Sequence, residues 1–160
     1  MKWKQFAVAG VALLALVATH LGCNQSSNRD THGPEASGSK AGEALLTGCY
    51  IATAGRDTFQ LAITQVSDSL IEGSLHYNFF EKDDSDGQVE GIYKDGVLSA
   101  IYTFKSEGKL SKRQVIFRKV PTGFIEGFGE SKVQDSVDVF VKPESIEFDK
   151  KMLFKRTPHC

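Results

Sequence analysis

The sequence lacks the patterns that mark most enzyme classes. It contains no Gly-x-Ser-x-Gly nucleophile turn, no paired-histidine metal motif and no glycine-rich phosphate loop. Only one of its four histidines, His76, falls within a predicted strand. The acidic run 81–87 does not fit a calcium loop, because Lys82 and Tyr93 occupy the positions that need an aspartate and a bidentate glutamate. We therefore predict that the protein is not an enzyme and carries no metal or cofactor.

A long apolar run is also lacking, since the apolar stretch 6–17 is shorter than the roughly 20 residues that a membrane-spanning helix needs. Two lysines precede this stretch, and a leucine, a glycine and Cys23 end the segment that follows it. This order is typical of a bacterial lipoprotein signal that is cleaved before the cysteine. We predict a signal peptide over residues 1–22 and lipidation of Cys23, which would hold the protein on a membrane.

Two alternatives to this signal stay open. His20 stands three residues before the cysteine, where lipoprotein signals prefer leucine. One alternative is a plain secretion signal, which would leave Cys23 as a free thiol. The other is an uncleaved membrane anchor, although the apolar run is short and His20 interrupts it. Asn24 follows the cysteine where aspartate favours retention in the inner membrane of some bacteria, so we predict the cell envelope, with the outer membrane favoured over the inner.

Residues 23–43 have no apolar periodicity and are rich in Asn, Ser, Gly and mixed charge. Such a segment cannot bury enough apolar surface to offset its ordering entropy, so we predict a flexible tether. The remaining residues, 44–160, suit a single domain. Cleavage would remove Lys2 and Lys4 and no acidic residue, which changes the formal charge from −1 to −3. The mature chain therefore has no basic footprint for nucleic acid.

The sequence has only three cysteines, and the predicted lipidation of one of them leaves two that can pair. If Cys23 is acylated, Cys49 and Cys160 remain. In an oxidising periplasm or at a cell surface, an even pair more often forms a disulfide than two free thiols. We predict a Cys49–Cys160 disulfide that joins the first strand of the folded part to residue 160.

Beyond residue 44, apolar side chains recur at every second position. Phe59, Leu61 and Ile63 alternate with polar neighbours, which is the pattern of a half-buried strand. The same period continues in four further segments: 71–79, 98–104, 115–117 and 137–141. Helix patterns are nearly absent. The sequence therefore predicts an all-β fold of about eight or nine short strands.

Turn residues separate these segments. Asp95-Gly96 is the strongest hairpin signal, because both central residues of a type I′ turn need positive φ. Further clusters of turn-forming residues punctuate the chain at 54–57, 67–69 and 121–123. Sequential strands should therefore pair antiparallel. An antiparallel meander of this length avoids exposed edges by closing into a barrel.

Four Glu-Gly dipeptides recur at nearly regular spacing, with their glutamates at positions 72, 90, 107 and 126. Glycine inside a strand commonly marks a bulge or a bend at a barrel corner. We predict that these dipeptides curve the sheet and that each glutamate points to solvent. A ring of carboxylates that binds a cation is the alternative, although one outward glutamate per strand rarely converges with its neighbours.

Two kinds of function fit a barrel of about eight strands, which either fills with side chains or holds one small molecule. The predicted inward side chains are mostly aromatic: Phe59, Leu75, Tyr77, Phe79, Tyr102, Phe104 and Phe117. Their bulk favours a filled interior. We therefore predict a non-catalytic interaction or structural module whose partner is another envelope protein or a cell-wall component. The alternative is a small apolar ligand held by these same seven residues.

The histidine and the basic residues in or beside the predicted strands are expected to face solvent. His76 shares a strand face with Ser74 and Asn78, so we expect it to face solvent. Basic residues flank one predicted strand: Lys105, Lys109, Lys112, Arg113, Arg118 and Lys119. Exposed lysines discourage wrong strand pairing, so we predict a solvated surface here. A contact for anionic headgroups or for an acidic partner is the alternative.

Three segments carry a family resemblance. Together with the signal and the last cysteine, residues 48–50, 102–108 and 113–117 resemble small uncharacterised lipoproteins of Bacteroidota-type bacteria. The resemblance covers most of residues 48–130. It implies a lipid-anchored address and a calycin-like small β-barrel, and it assigns no catalytic residue. Lipocalins are a weaker match, because their first strand carries a Gly-x-Trp signature and the sole tryptophan, Trp3, lies within the predicted signal.

Overall fold

The computed structural model describes Gly42 and residues 44–160, and these residues form an all-β fold of ten strands. In chain order the strands are β1 (Gly48–Ala54), β2 (Asp57–Ser67), β3 (Leu70–Asn78), β4 (Ser85–Lys94), β5 (Val97–Ser106), β6 (Lys109–Val120), β7 (Gly123–Phe128), β8 (Ser131–Gln134), β9 (Val137–Phe140) and β10 (Glu147–Thr157). The predicted signal peptide, Cys23 and all of the predicted tether except Gly42 lie outside the described residues. Among the described residues, no helix has the length and apolar character needed to cross a membrane.

Eight of the strands close into an antiparallel barrel, as the turn pattern predicts. The order around the barrel is β1-β2-β3-β4-β5-β6-β7-β10, and β10 returns to pair with β1. The closing pair places Cys49 opposite Thr157. Every barrel strand is therefore hydrogen-bonded on both sides, which removes the exposed edges of an open sheet.

The other two strands form a β8–β9 hairpin beside the barrel wall, so the structure has one strand more than the predicted eight or nine. A parallel pairing between Arg113 and Asp138 joins β9 to β6, and the Phe140 N–H donates a hydrogen bond to Gln114 Oε1 at 3.1 Å. All four residues of β9 are half-buried. The strand predicted over 137–141 is present as β9, but its side chains do not alternate between buried and exposed, because this strand lies outside the barrel.

The two ends of the barrel differ. At the end that we call the cap end, residues 44–46 form a helical turn ahead of β1, and Leu46 packs against the core. At the opposite end, which we call the loop end, residues 79–84 connect β3 to β4 and the chain leaves β7 for the hairpin.

Inward-facing side chains fill the barrel between these ends. Tyr50, Phe117, Phe124 and Phe154 are fully buried. Tyr50 and Phe124 meet edge to face with ring centres 5.0 Å apart, and Phe117 and Phe154 do so at 5.4 Å. These geometries are favourable for aromatic pairs, which add to the stabilisation from apolar burial.

The predicted hairpin at Asp95-Gly96 is confirmed. Both residues have positive φ, 52° and 80°, and they join β4 to β5 directly. Glu107 and Gly108 have the same backbone signature, with φ of 50° and 74°, and they join β5 to β6. The prediction that this dipeptide curves a strand is therefore wrong, since it forms a tight turn of the same kind.

The Glu-Gly dipeptides of β3 and β4 behave as predicted. Glu72 and Glu90 are exposed on the outside of the barrel. Gly73 lies on the inner face, where an added Cβ would collide with the carbonyl oxygen of Ala62 on β2. Only glycine permits this close approach, which lets the sheet curve tightly at this point.

The Cys49–Cys160 disulfide is confirmed. The two cysteines are bonded, and their Cα atoms lie 5.3 Å apart. Cys49 is at the start of β1, and Cys160 follows the end of β10. The bond therefore fastens the pair of strands that closes the barrel.

Candidate functional site

The seven residues predicted to face inward do lie together inside the barrel. Phe59, Leu75, Tyr77, Tyr102 and Phe117 are buried, and Phe79 and Phe104 are partly buried against them. Their rings pack on one another, with centres 4.6 Å apart for Tyr102 and Phe104 and 5.3 Å apart for Phe59 and Phe79. The side chains predicted as ligand contacts therefore serve as contacts for each other.

One carboxyl group, that of Glu126, lies inside this aromatic interior. Glu126 is 2% exposed, and its Oε1 accepts a hydrogen bond of 2.5 Å from the Tyr77 hydroxyl. The prediction that it points to solvent is wrong. Phe124, two residues earlier on β7, belongs to the core, and strand alternation places Glu126 on the same inward face.

Burial determines the protonation of this pair. Desolvation raises the pKa of Glu126 to about 7, although the hydrogen bond from Tyr77 and the positive charge of Arg113 both act to lower it. Desolvation, and then the charge of Glu126, raise the pKa of Tyr77 well above its usual value. Tyr77 therefore remains a hydrogen-bond donor, whereas Glu126 changes its charge near neutral pH.

Arg113 reaches the same region from β6. Its guanidinium carbon lies 4.8 Å from the ring centre of Tyr77 and 5.6 Å from that of Tyr102. These distances are within the range of cation–π attraction. The prediction that Arg113 belongs to a solvated basic surface is wrong, because it shares a strand face with the core residues Val115 and Phe117.

Three buried polar atoms in this region have no hydrogen-bond partner among the described residues: Tyr102 Oη, Arg113 Nε and Glu126 Oε2. Buried polar groups in folded proteins are nearly always paired with protein or with ordered water. Arg113 and Glu126 also line a small pocket at the loop end, with a volume of about 130 Å³. The β8–β9 hairpin supplies part of its wall through Asp138 and Phe140.

A larger pocket of about 530 Å³ opens at the cap end. Most of its lining is apolar or aromatic, from Leu45, Leu46, Tyr50, Val66, Tyr93 and Pro121. Lys119 and Arg156 add positive charge, and Asp68 adds one negative charge. The pocket therefore combines an apolar wall with a net positive rim.

Arg156 also holds the cap in place. Its guanidinium donates hydrogen bonds to the carbonyl oxygens of Leu45 at 2.7 Å and Thr47 at 2.6 Å. Desolvation, and then the charge of Arg156, lower the pKa of the neighbouring Lys119. The cap end thus concentrates two cationic groups beside apolar surface.

A surface pocket lies on the outer wall formed by β4, β5 and β6. This pocket, which we call the outer-wall groove, has a volume of about 650 Å³. Its outward-facing apolar side chains are Ile101 and Leu110, and Leu110 is 65% exposed. Charged side chains surround these residues: Asp86, Glu90, Lys105 and Lys112. An apolar centre within a charged rim is the usual anatomy of a protein contact surface.

His76 lines none of these pockets but contacts Asp86, which lines the outer-wall groove. His76 lies on the outer face of β3, where its Nδ1 is 3.5 Å from Asp86 Oδ1. Among the described residues, no group of three or more histidine, cysteine, aspartate and glutamate side chains is arranged to hold a metal ion.

Sequence reasoning missed both charged residues of the barrel interior, Glu126 and Arg113. The signal for Glu126 was its spacing from Phe124, and the signal for Arg113 was its spacing from Val115 and Phe117. Both residues continue the alternation of a core-facing strand, but each substitutes a charged side chain for an apolar one.

Comparisons with protein-family models, with curated proteins and with solved structures found no match to this chain.

Proposed function

We propose that this chain is a lipid-anchored protein of the bacterial cell envelope whose barrel is a non-catalytic interaction module. The filled aromatic interior carries the proposal, because a barrel whose inner volume is occupied by its own side chains presents its outer surface to partners. The Lys2 to Cys23 segment supports the anchor, since it has the order of a cleaved lipoprotein signal.

The outer-wall groove is the surface that we assign to the partner. Leu110 and Ile101 form its apolar centre, and Lys105 and Lys112 stand on the β5 and β6 side of the rim. Lys109 adds a further exposed positive charge beside Leu110. These features favour an envelope protein that inserts an apolar side chain between Ile101 and Leu110 and sets acidic groups against the lysines.

Membrane anchoring is tested by replacing Cys23 with serine. We expect the wild-type protein to sediment with membranes and to incorporate a clickable palmitate analogue in its own host. The Cys23→Ser protein should lose the label and move to the soluble fraction, because no acyl chain can be attached. A Cys160→Ser protein is the control for cysteine loss and should keep the label. A Cys23→Ser protein that still sediments with membranes would contradict the anchor.

The interaction surface is tested by placing a photo-crosslinking amino acid at Leu110. The control position is Thr58, which is exposed on β2 at the opposite side of the barrel. We expect one discrete crosslinked species from Leu110 in intact cells and none from Thr58. Adding Lys112→Glu should abolish this species, because the charge change repels acidic groups on the partner. Equal crosslinking from both positions, or persistence in the Lys112→Glu background, would rule out the proposed surface.

The cap-end pocket supports a second candidate function, the binding of an amphipathic anion such as a long-chain carboxylate. Its apolar lining suits an acyl chain, and Lys119 and Arg156 suit a terminal carboxylate. This ligand would lie at the end of the barrel and not among the seven interior residues. Native mass spectrometry of protein from its own host tests this candidate, because a co-purifying lipid would favour the cap-end pocket. The photo-crosslinking experiment at Leu110 tests the interaction module independently.

A further inference from the structure

We propose that the loop-end pocket beside Glu126 is a binding site for a short primary ammonium compound that carries an oxygen acceptor, with ethanolamine as the simplest example. This site is distinct from the outer-wall groove and from the cap-end pocket, and it does not depend on the membrane anchor. The proposal rests on the unpaired polar atoms of Arg113 and Glu126, on the charges around the pocket that these residues line, and on the size of that pocket.

The unpaired atoms define a donor and an acceptor. Glu126 Oε2 is a buried acceptor without a partner among the described residues, and Arg113 Nε is a buried donor in the same condition. Both residues line the same pocket. Leaving such groups unpaired destabilises a protein, and a ligand that pairs them regains that free energy. Both atoms are buried, so a ligand in the pocket reaches them when the two side chains turn toward it: an ammonium group then pairs with the carboxylate oxygen, and a hydroxyl or carbonyl oxygen pairs with the Arg113 N–H.

The charges around the pocket favour a cation. Glu126 and Asp138 contribute two carboxyl groups, and Arg113 contributes one guanidinium. The guanidinium is also directed over the Tyr77 ring. When both carboxyl groups are ionised, the lining has a net negative charge, and an ammonium ion balances it. The net negative charge of the lining would disfavour an anion of the same size.

The dimensions restrict the ligand. A volume of about 130 Å³ holds only a few water molecules or a compound of comparable size. Val115, Phe128 and Phe140 form apolar walls around it. The β8–β9 hairpin is fixed at this position by the hydrogen bond between Phe140 N–H and Gln114 Oε1. The pocket therefore accommodates only a short compound within its walls, and the β8–β9 hairpin forms one of these walls.

Binding is tested by NMR titration of the folded protein at pH 8, where Glu126 is ionised. A ligand this small binds weakly, and chemical-shift changes measure millimolar affinities. We expect ethanolamine and glycinamide to shift the amide signals of Gly127, Gly129 and Asp138 in a saturable way. Ethylene glycol, which has the same length and no charge, should bind at least tenfold more weakly, and acetate should not bind.

Two substitutions locate the site. Glu126→Gln keeps an acceptor for the Tyr77 hydroxyl but removes the charge, and we expect at least tenfold weaker ethanolamine binding. Asp138→Asn, on the β8–β9 hairpin, should also weaken ethanolamine binding. This variant tests the site if the Glu126→Gln protein does not fold. Glu144→Gln changes an exposed acid that does not line the pocket and is the matched control. The proposal is overturned if ethylene glycol binds as well as ethanolamine, if no compound produces saturable shifts, or if neither Glu126→Gln nor Asp138→Asn weakens binding; ordered water would then be the occupant.

Discussion

Replacing Cys49 with alanine and Cys160 with serine should lower the free energy of unfolding by about 4 to 5 kcal/mol. The disulfide closes a loop whose ends are 111 residues apart in sequence. Chain-entropy estimates for a loop of about this length give roughly 4.7 kcal/mol, because the cross-link removes many conformations from the unfolded chain. Single domains have only about 5 to 15 kcal/mol of total stability, so the loss is a large share. Equilibrium denaturation in urea measures it.

Reduction provides the control for this experiment. A reducing agent should destabilise the wild-type protein by the same amount and leave the double variant unchanged. The variant should also retain the far-ultraviolet circular dichroism of a β-protein in the absence of denaturant, since the β1–β10 strand pairing remains. A double variant as stable as the oxidised wild type would show that the strand pairing alone holds the barrel closed.

The wild-type protein should lose about 3 kcal/mol of stability between pH 4.5 and pH 8 relative to a Glu126→Gln variant. Burial raises the pKa of Glu126 from 4.5 to about 7 in the folded state. Between these values the folded state holds a proton that the unfolded state has released. The contribution of Glu126 to the free energy of unfolding is therefore fully present below pH 4.5 and is lost as the pH rises through 7. Each unit of pKa difference corresponds to about 1.4 kcal/mol.

Urea denaturation at a series of pH values measures this difference. Glu90→Gln is the matched control, because Glu90 belongs to the same kind of Glu-Gly dipeptide but is exposed on β4. Its pH profile should follow that of the wild type. Parallel profiles for the wild type and the Glu126→Gln variant would mean that Glu126 is ionised in the fold at a lower pH than its burial implies.

The barrel itself could be predicted because local signals agreed with one another. The alternation of Phe59, Leu61 and Ile63 gave an inward face, and the Asp95-Gly96 turn fixed a hairpin and its register. Once neighbouring strands pair antiparallel, closure follows from the need to satisfy the edges. The disulfide could be predicted from the number of cysteines and the expected compartment.

The polar interior could not be predicted, because it depends on which strands face each other across the barrel. Tyr77 on β3 meets Glu126 on β7, and these residues are far apart in sequence. Repetition of the Glu-Gly dipeptide suggested one role for four sites, whereas the structure gives them three: an outer face at Glu72 and Glu90, a turn at Glu107 and the core at Glu126. The composition of a dipeptide does not specify the side of a strand on which it lies.

The seam between β1 and β10 also determines how the chain reaches its native state. Six neighbouring barrel pairs, from β1–β2 to β6–β7, join consecutive strands and can form as each hairpin appears. The pairing of Cys49 with Thr157 must wait until β10 is present. Contacts between such distant segments slow folding, because the entropy of a large loop is lost before the contact forms. Until β10 pairs with it, β1 has an unpaired edge, and unpaired strand edges favour association with other chains.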